Sequence, residues 1–263
     1  VLVLSAQIRS VTGPHRADNQ DSAASADRWV LVADGVGGHA GGDVASTTIV
    51  QVLRSLLQGR EVTSLDAESL RDLVARANAR MGSQAAQDPA LRGMSTTFTG
   101  VVCSEGEALV AHIGDSRAYL VSEGLGRRVT RDDSLVQELV DSGAISEGQA
   151  HGHPHRNVIT RSLSGSDRDA HDLTVLSVPL RAGDRWLVAS DGLTDYVQDK
   201  VALGILARTP DPAGAADALV AAALERGSRD NVTVAVADVV SVVSAPGGPG
   251  EVVGAAATAA SQQ

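Results

Sequence analysis

Aromatic residues make up only 2% of this 263-residue chain. A core must therefore come mostly from Val, Leu, Ile and Ala, and the 43% hydrophobic content is ample for one. The single cysteine, Cys103, excludes an intrachain disulfide and favours a reducing compartment. It ends the apolar run in FTGVVCSEG and reads as a small buried core residue. Positive charge is also scarce: 22 Lys and Arg against 32 Asp and Glu leave a formal net charge of -10. Non-specific binding to nucleic acid or to an anionic membrane needs a basic face, so the charge argues against both. Phosphorylated partners are not, because a bound cation inverts the local charge. No stretch approaches the ~20 apolar residues of a membrane span. The opening VLVLSAQIRS has neither the basic flank nor the long apolar run of a signal peptide. These absences predict a soluble, cytoplasmic protein.

Strand-like and helix-like segments alternate without a polar linker from residue 1 to 241, predicting one domain. The remaining 242–263 is rich in Pro, Gly, Ala and Ser and is expected to be disordered or loosely attached. RWVLVAD, TTFTGVVCS, EALVAHIG, RAYLVS, DRWLVAS and NVTVAVADV read as strands. In LDAESLRDLVARANARMGSQAAQ, the residues Leu70, Leu73, Val74, Ala77 and Met81 share one helical face. DVASTTIVQVLRSLLQG and SLVQELVDSG behave similarly, and DPAGAADALVAAALERG opens with Asp211 as N-cap and Pro212 in the first turn. Two early helices, a run of strands and further helices favour α+β over a regular βαβ alternation.

Chemistry gathers at strand ends. LVADGVGG and LVASDGLTD each run up an apolar strand to an Asp-Gly pair, Asp34-Gly35 and Asp191-Gly192. One such pair is an ordinary turn. Two, joined by Asp21, Asp115 and Asp230 at other strand edges, suggest converging carboxylates whose repulsion a proton or a cation must relieve. An all-oxygen set points to a hard cation, magnesium or manganese rather than zinc. The histidines of HGHPH (His151, His153, His155) have no partnering second motif and read as a loop. Arg16, Arg117 and Arg161 are candidates to hold a dianionic phosphate by paired hydrogen bonds, although a structural ion pair is the commoner role of any single arginine.

The motifs RADNQD, ADGVGGHAGGDVAS, STTFTGVV, HIGDSRAYL, DDSLVQELV, HPHRNVITRSL, WLVASDGLTDYV and SRDNVTVAVADV follow one another over roughly residues 5–240. In order and spacing this series resembles the bacterial metal-dependent Ser/Thr protein phosphatases of type 2C, the PPM family. The resemblance implies a four-layer αββα sandwich of two antiparallel sheets flanked by helices. It implies two Mn²⁺ or Mg²⁺ ions at one edge, with Asp34 bridging them, Gly35 offering its carbonyl, and Asp21, Asp191 and Asp230 completing the shell. Asp115 with Asp191 would support a third, weaker ion, and Arg16 would bind phosphate. The implied reaction is in-line attack on phosphoserine or phosphothreonine by a metal-bridging hydroxide. The implied partners are phosphorylated proteins, a Ser/Thr kinase among them, and the implied state is a monomer.

His39 is the candidate general acid, against a role in orienting the glycine loop; Val36 stands where eukaryotic relatives place their histidine. Asp133 and Gln20 replace a histidine and a glutamate common in the family. VDSGAISEGQAHGHPHRN falls where family members carry a mobile flap, and its composition suits one. Two other readings stand beside the general phosphatase. One is a relative dedicated to a single regulatory phosphoprotein, of the anti-sigma antagonist type. The other is a catalytically inactive binding module, which would be expected to have lost some of the acids.

Overall fold

The alternation of apolar residues in the strands sorts the side chains into three cores, and these cores define the layers. The computed structural model describes residues 1–36, 41–58, 62–243 and 250–260. Within them the strands are β1 (Leu2–Val11), β2 (Asp21–Ala26), β3 (Trp29–Val36), β4 (Ser95–Thr96), β5 (Phe98–Cys103), β6 (Glu107–Ile113), β7 (Arg117–Ser122), β8 (Leu125–Arg128), β9 (Thr174–Pro179), β10 (Arg185–Ala189), β11 (Val232–Ser241) and β12 (Glu251–Gly254). The helices are α1 (Gly42–Gln58), α2 (Ala67–Gln87), α3 (Leu135–Asp141), α4 (Glu147–His151), α5 (Asp169–Asp172), α6 (Asp191–Thr194), α7 (Asp199–Arg208), α8 (Pro212–Glu225) and α9 (Ala255–Ala260). One sheet runs β1-β11-β10-β7-β8 and the other β12-β2-β3-β5-β6-β9, with β4 paired to β3. Every strand pairing is antiparallel.

Along β3, Val30 and Val32 face the other sheet, while Trp29, Leu31 and Ala33 face α1 and α2. In the second sheet Trp186 and Val188 point inward and Leu187 and Ala189 point toward α7 and α8. The period of two thus feeds a central core and two outer ones, giving the expected αββα sandwich. Small residues let the layers approach closely: Ala23, Ala118, Ala235 and Ala237 all belong to the central core. Asp66 caps α2 by accepting the Ser69 amide at 2.8 Å, and Asp211 caps α8 by accepting that of Gly214 at 2.9 Å. No helix among the described residues is long and apolar enough to cross a membrane.

Two local expectations are corrected. The histidine-rich segment is not all loop: a capping box of Ser146 and Gln149 starts α4. The terminal segment is not loose throughout, because Glu251–Gly254 pairs with β2 and α9 packs beside α1, with Ala256 buried in the helix-side core. A four-residue strand bounded by glycines has no local signal of its own; pairing with an existing strand creates it.

Candidate active site

The register of β2 against β3 places Asp21 directly opposite Asp34. Both therefore project from the face that carries Ala23 and Val32, between the sheets, where the central core ends. The other sheet brings its acids to the same end. Asp191 follows β10 and opens α6, and Asp230 stands just before β11. Asp115 lies in the turn between β6 and β7. A small cavity of about 140 Å³ is lined by Arg16, Asp34, Gly35, Asp191 and Asp230. A larger one of about 550 Å³ is lined by Asp115, Asp191, Asp195, Arg156 and His151. Asp191 is common to both, so the two cavities adjoin at its carboxylate.

The electrostatics follow from crowding. Burial pushes the Asp34 carboxyl well above its ordinary range, and the charges of Asp21, Asp191, Asp115 and Asp230 add to the shift. Asp191 is raised in the same way by burial, then by Asp115, Asp195, Asp230 and Asp21. Burial lifts Asp21 to about 6, although hydrogen bonds from Thr233 and Ser190 oppose the rise. Asp115 is pushed to about 7 by burial, Asp132 and Asp195. Its buried Oδ1 finds no hydrogen-bond partner among the described residues. Among those residues no three His, Cys, Asp or Glu side chains already close around one point as a ligand group; the acids ring the cleft instead. Mutually repelling carboxylates with an unsatisfied buried oxygen are the donor set that a hard divalent cation satisfies.

All five predicted acids are thus brought together, with Gly35 beside them. Arg16 Nη2 lies 2.6 Å from Asp230 Oδ2, which holds the half-exposed guanidinium at the mouth of the small cavity. His39 falls outside the described residues. The other candidate arginines have structural partners. Arg117 makes a forked bond to the buried Asp132 and a further one to Asp199, and Arg161 pairs with Asp133 at 3.0 Å. Asp133 also accepts the Gly114 amide at 3.0 Å, steadying the turn that carries Asp115. His153 and His155 stack at a tilt, 5.7 Å apart, and belong to no metal-binding group among the described residues.

Sequence reasoning missed the groups that hold the acids in place. Ser190 Oγ donates to Asp21 Oδ2 at 2.8 Å while accepting the Thr233 amide at 3.0 Å, linking the two sheets through one hydroxyl. Thr97 Oγ1 accepts the Asp34 amide at 3.1 Å, and Thr96 Oγ1 donates to the Asp34 carbonyl at 2.7 Å. Asn231 accepts the Gln20 amide at 2.9 Å and donates to the Asp18 carbonyl at 3.0 Å. Polar residues inside or beside apolar strands were the available signal. Arg156 reaches from the segment after α4 to Asp195 at 3.2 Å, which ties that segment to α6.

Comparison with known proteins agrees with this geometry. The protein phosphatase 2C family matches residues 11–226. The serine/threonine protein phosphatase PstP of Mycobacterium tuberculosis is 41% identical over 239 residues, 91% of this chain. The chain spans only 46% of that relative's length. The crystal structure of the M. tuberculosis serine/threonine phosphatase PstP/Ppp superposes with a TM-score of 0.84 at 39% identity, covering 91% of this chain and all of that one. A crystal structure of the PstP catalytic domain in complex with two manganese ions has a TM-score of 0.80 at 38% identity, covering 92% of this chain and all of that one. With the family matched across most of its length and the same fold in these relatives, the chain belongs to the protein phosphatase 2C family.

Proposed function

We propose that this chain is the catalytic core of a metal-dependent phosphoprotein phosphatase that hydrolyses phosphoserine and phosphothreonine. The observation that carries the reading is the gathering of four further carboxylates close enough to act on that of Asp34, with one arginine tethered to Asp230 beside them. In this reading Asp34 and the Gly35 carbonyl, with Asp21, Asp191 and Asp230, would hold a pair of Mn²⁺ or Mg²⁺ ions, and Asp115 with Asp191 would hold a third. A manganese-bound relative of the same fold supports the choice of ion. When bound, the cations supply Lewis acidity and an activated water for in-line attack on phosphorus.

The residues of the chain do the rest. Ser190, Thr96, Thr97 and Asn231 fix the acids before any ligand arrives, so little reorganisation accompanies the reaction. Asp230 orients the Arg16 guanidinium, which binds two phosphoryl oxygens and offsets the charge developing on them. The departing serine or threonine oxygen needs a proton, and His39 is our candidate donor. The partners are phosphorylated proteins, including a Ser/Thr kinase, met by a monomer in the cytoplasm; the single buried cysteine suits that compartment. Net charge -10 argues against a nucleic-acid partner.

Hydrolysis of p-nitrophenyl phosphate and of a phosphothreonine peptide, with Mn²⁺ and with chelator, tests the reading. Activity is expected with Mn²⁺ and not with chelator. Asp191→Asn should lower it by about 100-fold or more, the upper range for residues that merely support a metal ligand. Activity that survives complete metal removal, or an Asp191→Asn protein as active as the parent, would sink it.

A further inference from the structure

The segment after residue 249 lies outside the family match, yet it is bonded to the strand that begins with Asp21. β12 pairs with β2 from Glu251 opposite Ser25 to Gly254 opposite Ser22, and it covers an edge that would otherwise be open. Val252 packs on the helix-side core and Val253 on the central one, so the segment contributes to both layers. At its end Gly254 has φ +75° and runs so close to β2 that a Cβ would stand 2.1 Å from the Asp21 carbonyl oxygen. Only glycine suits that place, by conformation and by space.

A chain of hydrogen bonds continues from there toward the acids. The Ala256 amide donates to Ser22 Oγ at 3.1 Å, Ser22 Oγ lies 3.0 Å from Ser46 Oγ, and Ser46 Oγ donates to the Gln20 carbonyl at 2.5 Å. That carbonyl belongs to the peptide unit joined to Asp21, and it also accepts the Gly35 amide at 3.2 Å. Gln51 of α1 donates to the Ala256 carbonyl at 3.3 Å and fixes the far end. The segment therefore touches the backbone on both sides of the Asp21 α-carbon: directly at its carbonyl, and through two serines at the peptide unit before it.

We propose that residues 250–260 are a strap whose seating on β2 positions Asp21 and so sets the affinity of the acidic centre for its divalent cations. The proposal rests on the phosphatase reading above. Linkage makes the effect reciprocal: if seating strengthens cation binding, cation binding stabilises seating by the same factor.

The experiment compares the full chain, Gly254→Ala and a chain ending at Val243. Mn²⁺ binding is measured by titration calorimetry, kcat at saturating Mn²⁺ on a phosphopeptide, and amide hydrogen exchange at Val252–Gly254 with and without Mn²⁺. Both variants should bind Mn²⁺ about tenfold more weakly, with kcat at saturation changed less than about twofold, within the range of ligand-supporting groups. In the full chain Mn²⁺ should slow exchange across the strap. A folded Gly254→Ala protein with unchanged Mn²⁺ affinity would overturn the proposal, and it decides the matter alone if the shortened chain does not fold. A full chain that binds no Mn²⁺ would overturn the phosphatase reading and the strap with it.

Discussion

Replacing Asp132 with alanine would strand a buried cation. Arg117 follows Asp115 in the sequence by two residues and looked suited to phosphate, but its guanidinium is turned inward. Nε lies 3.0 Å from both Asp132 oxygens and Nη2 lies 2.6 Å from Oδ2. Nη1 reaches Asp199 at 3.1 Å. The Arg117 side chain is 19% exposed and that of Asp132 only 6%. Burial works against the charge on Arg117, and Asp132 and Tyr119 together more than restore it, holding the group well above its ordinary pKa. Removing one partner of a buried pair costs about 3–5 kcal/mol. Because Asp199 remains and some solvent reaches the guanidinium, the expected loss is near the lower end, about 3 kcal/mol. Against a total stability of about 5–15 kcal/mol, that is a large fraction. Equilibrium unfolding in urea measures it. The double variant Arg117→Met with Asp132→Leu should recover most of the loss, because apolar side chains of similar volume replace the buried pair, and Asp199, which loses Arg117, is 37% exposed and keeps the Tyr119 hydroxyl. A single variant that loses less than about 1 kcal/mol, the worth of an exposed pair, would refute the assignment of Arg117 as a buried strut. So would a double variant less stable than the single.

Two further predictions concern the acidic centre. Asp21 at about 6 and Asp115 at about 7 both lie above the ordinary carboxylate value of 3.8. A raised carboxyl pKa means that the folded state holds its proton more firmly, so the stabilising contribution is complete below 3.8 and is lost as pH rises through 6 and 7. In chelator, thermal unfolding should therefore occur at a higher temperature at pH 5 than at pH 8, with Mn²⁺ removing the deficit at pH 8; a chelated protein that is more stable at pH 8 would contradict the crowding. Gly192→Ala would set a Cβ 1.9 Å from the Asn231 carbonyl oxygen, forcing apart the backbones that carry Asp191 and Asp230. Overpacking of this kind costs about 1–3 kcal/mol, and phosphatase activity should fall with it; unaltered activity and unfolding midpoint would show that the two backbones are not closely held.

The strongly apolar elements were legible because their periodicity survives packing. β3, β5, β6, β7, β10 and β11 lie where apolar and β-branched runs placed them, α1 and α8 fall in their expected segments, and α2 buries Leu70, Leu73, Val74, Ala77 and Met81 as expected. β2 was not legible. Its sequence DSAASA contains no good strand former, and it is a strand because β3 and β12 pair with it from either side. α7 carries Gly204 in its middle, which weakens the helical signal. At the site, Asp34, Asp115 and Asp191 were readable because each follows a hydrophobic run and Asp230 because it precedes one, while Asp21 was read from the polar motif RADNQD. Their supports were not: Ser190, Thr97 and Asn231 act across 43 or more residues of sequence, over distances that only the fold closes. Arg117 and Arg161 show the opposite limit, since a guanidinium looks alike in sequence whether it faces phosphate or a buried aspartate.

On the reading proposed above, the alignment of Asp21 with Asp34 makes core packing a test of catalytic geometry. Side chains on a strand alternate between faces, so a slip of one residue between β2 and β3 would turn Ala23 out of the central core. The same slip would turn Asp21 away from Asp34. A molecule that has buried its valines in the correct register has therefore already set the two carboxylates side by side, against their own repulsion. One that has not is both less stable and silent, so errors of folding remove themselves from the active population without any separate device to detect them.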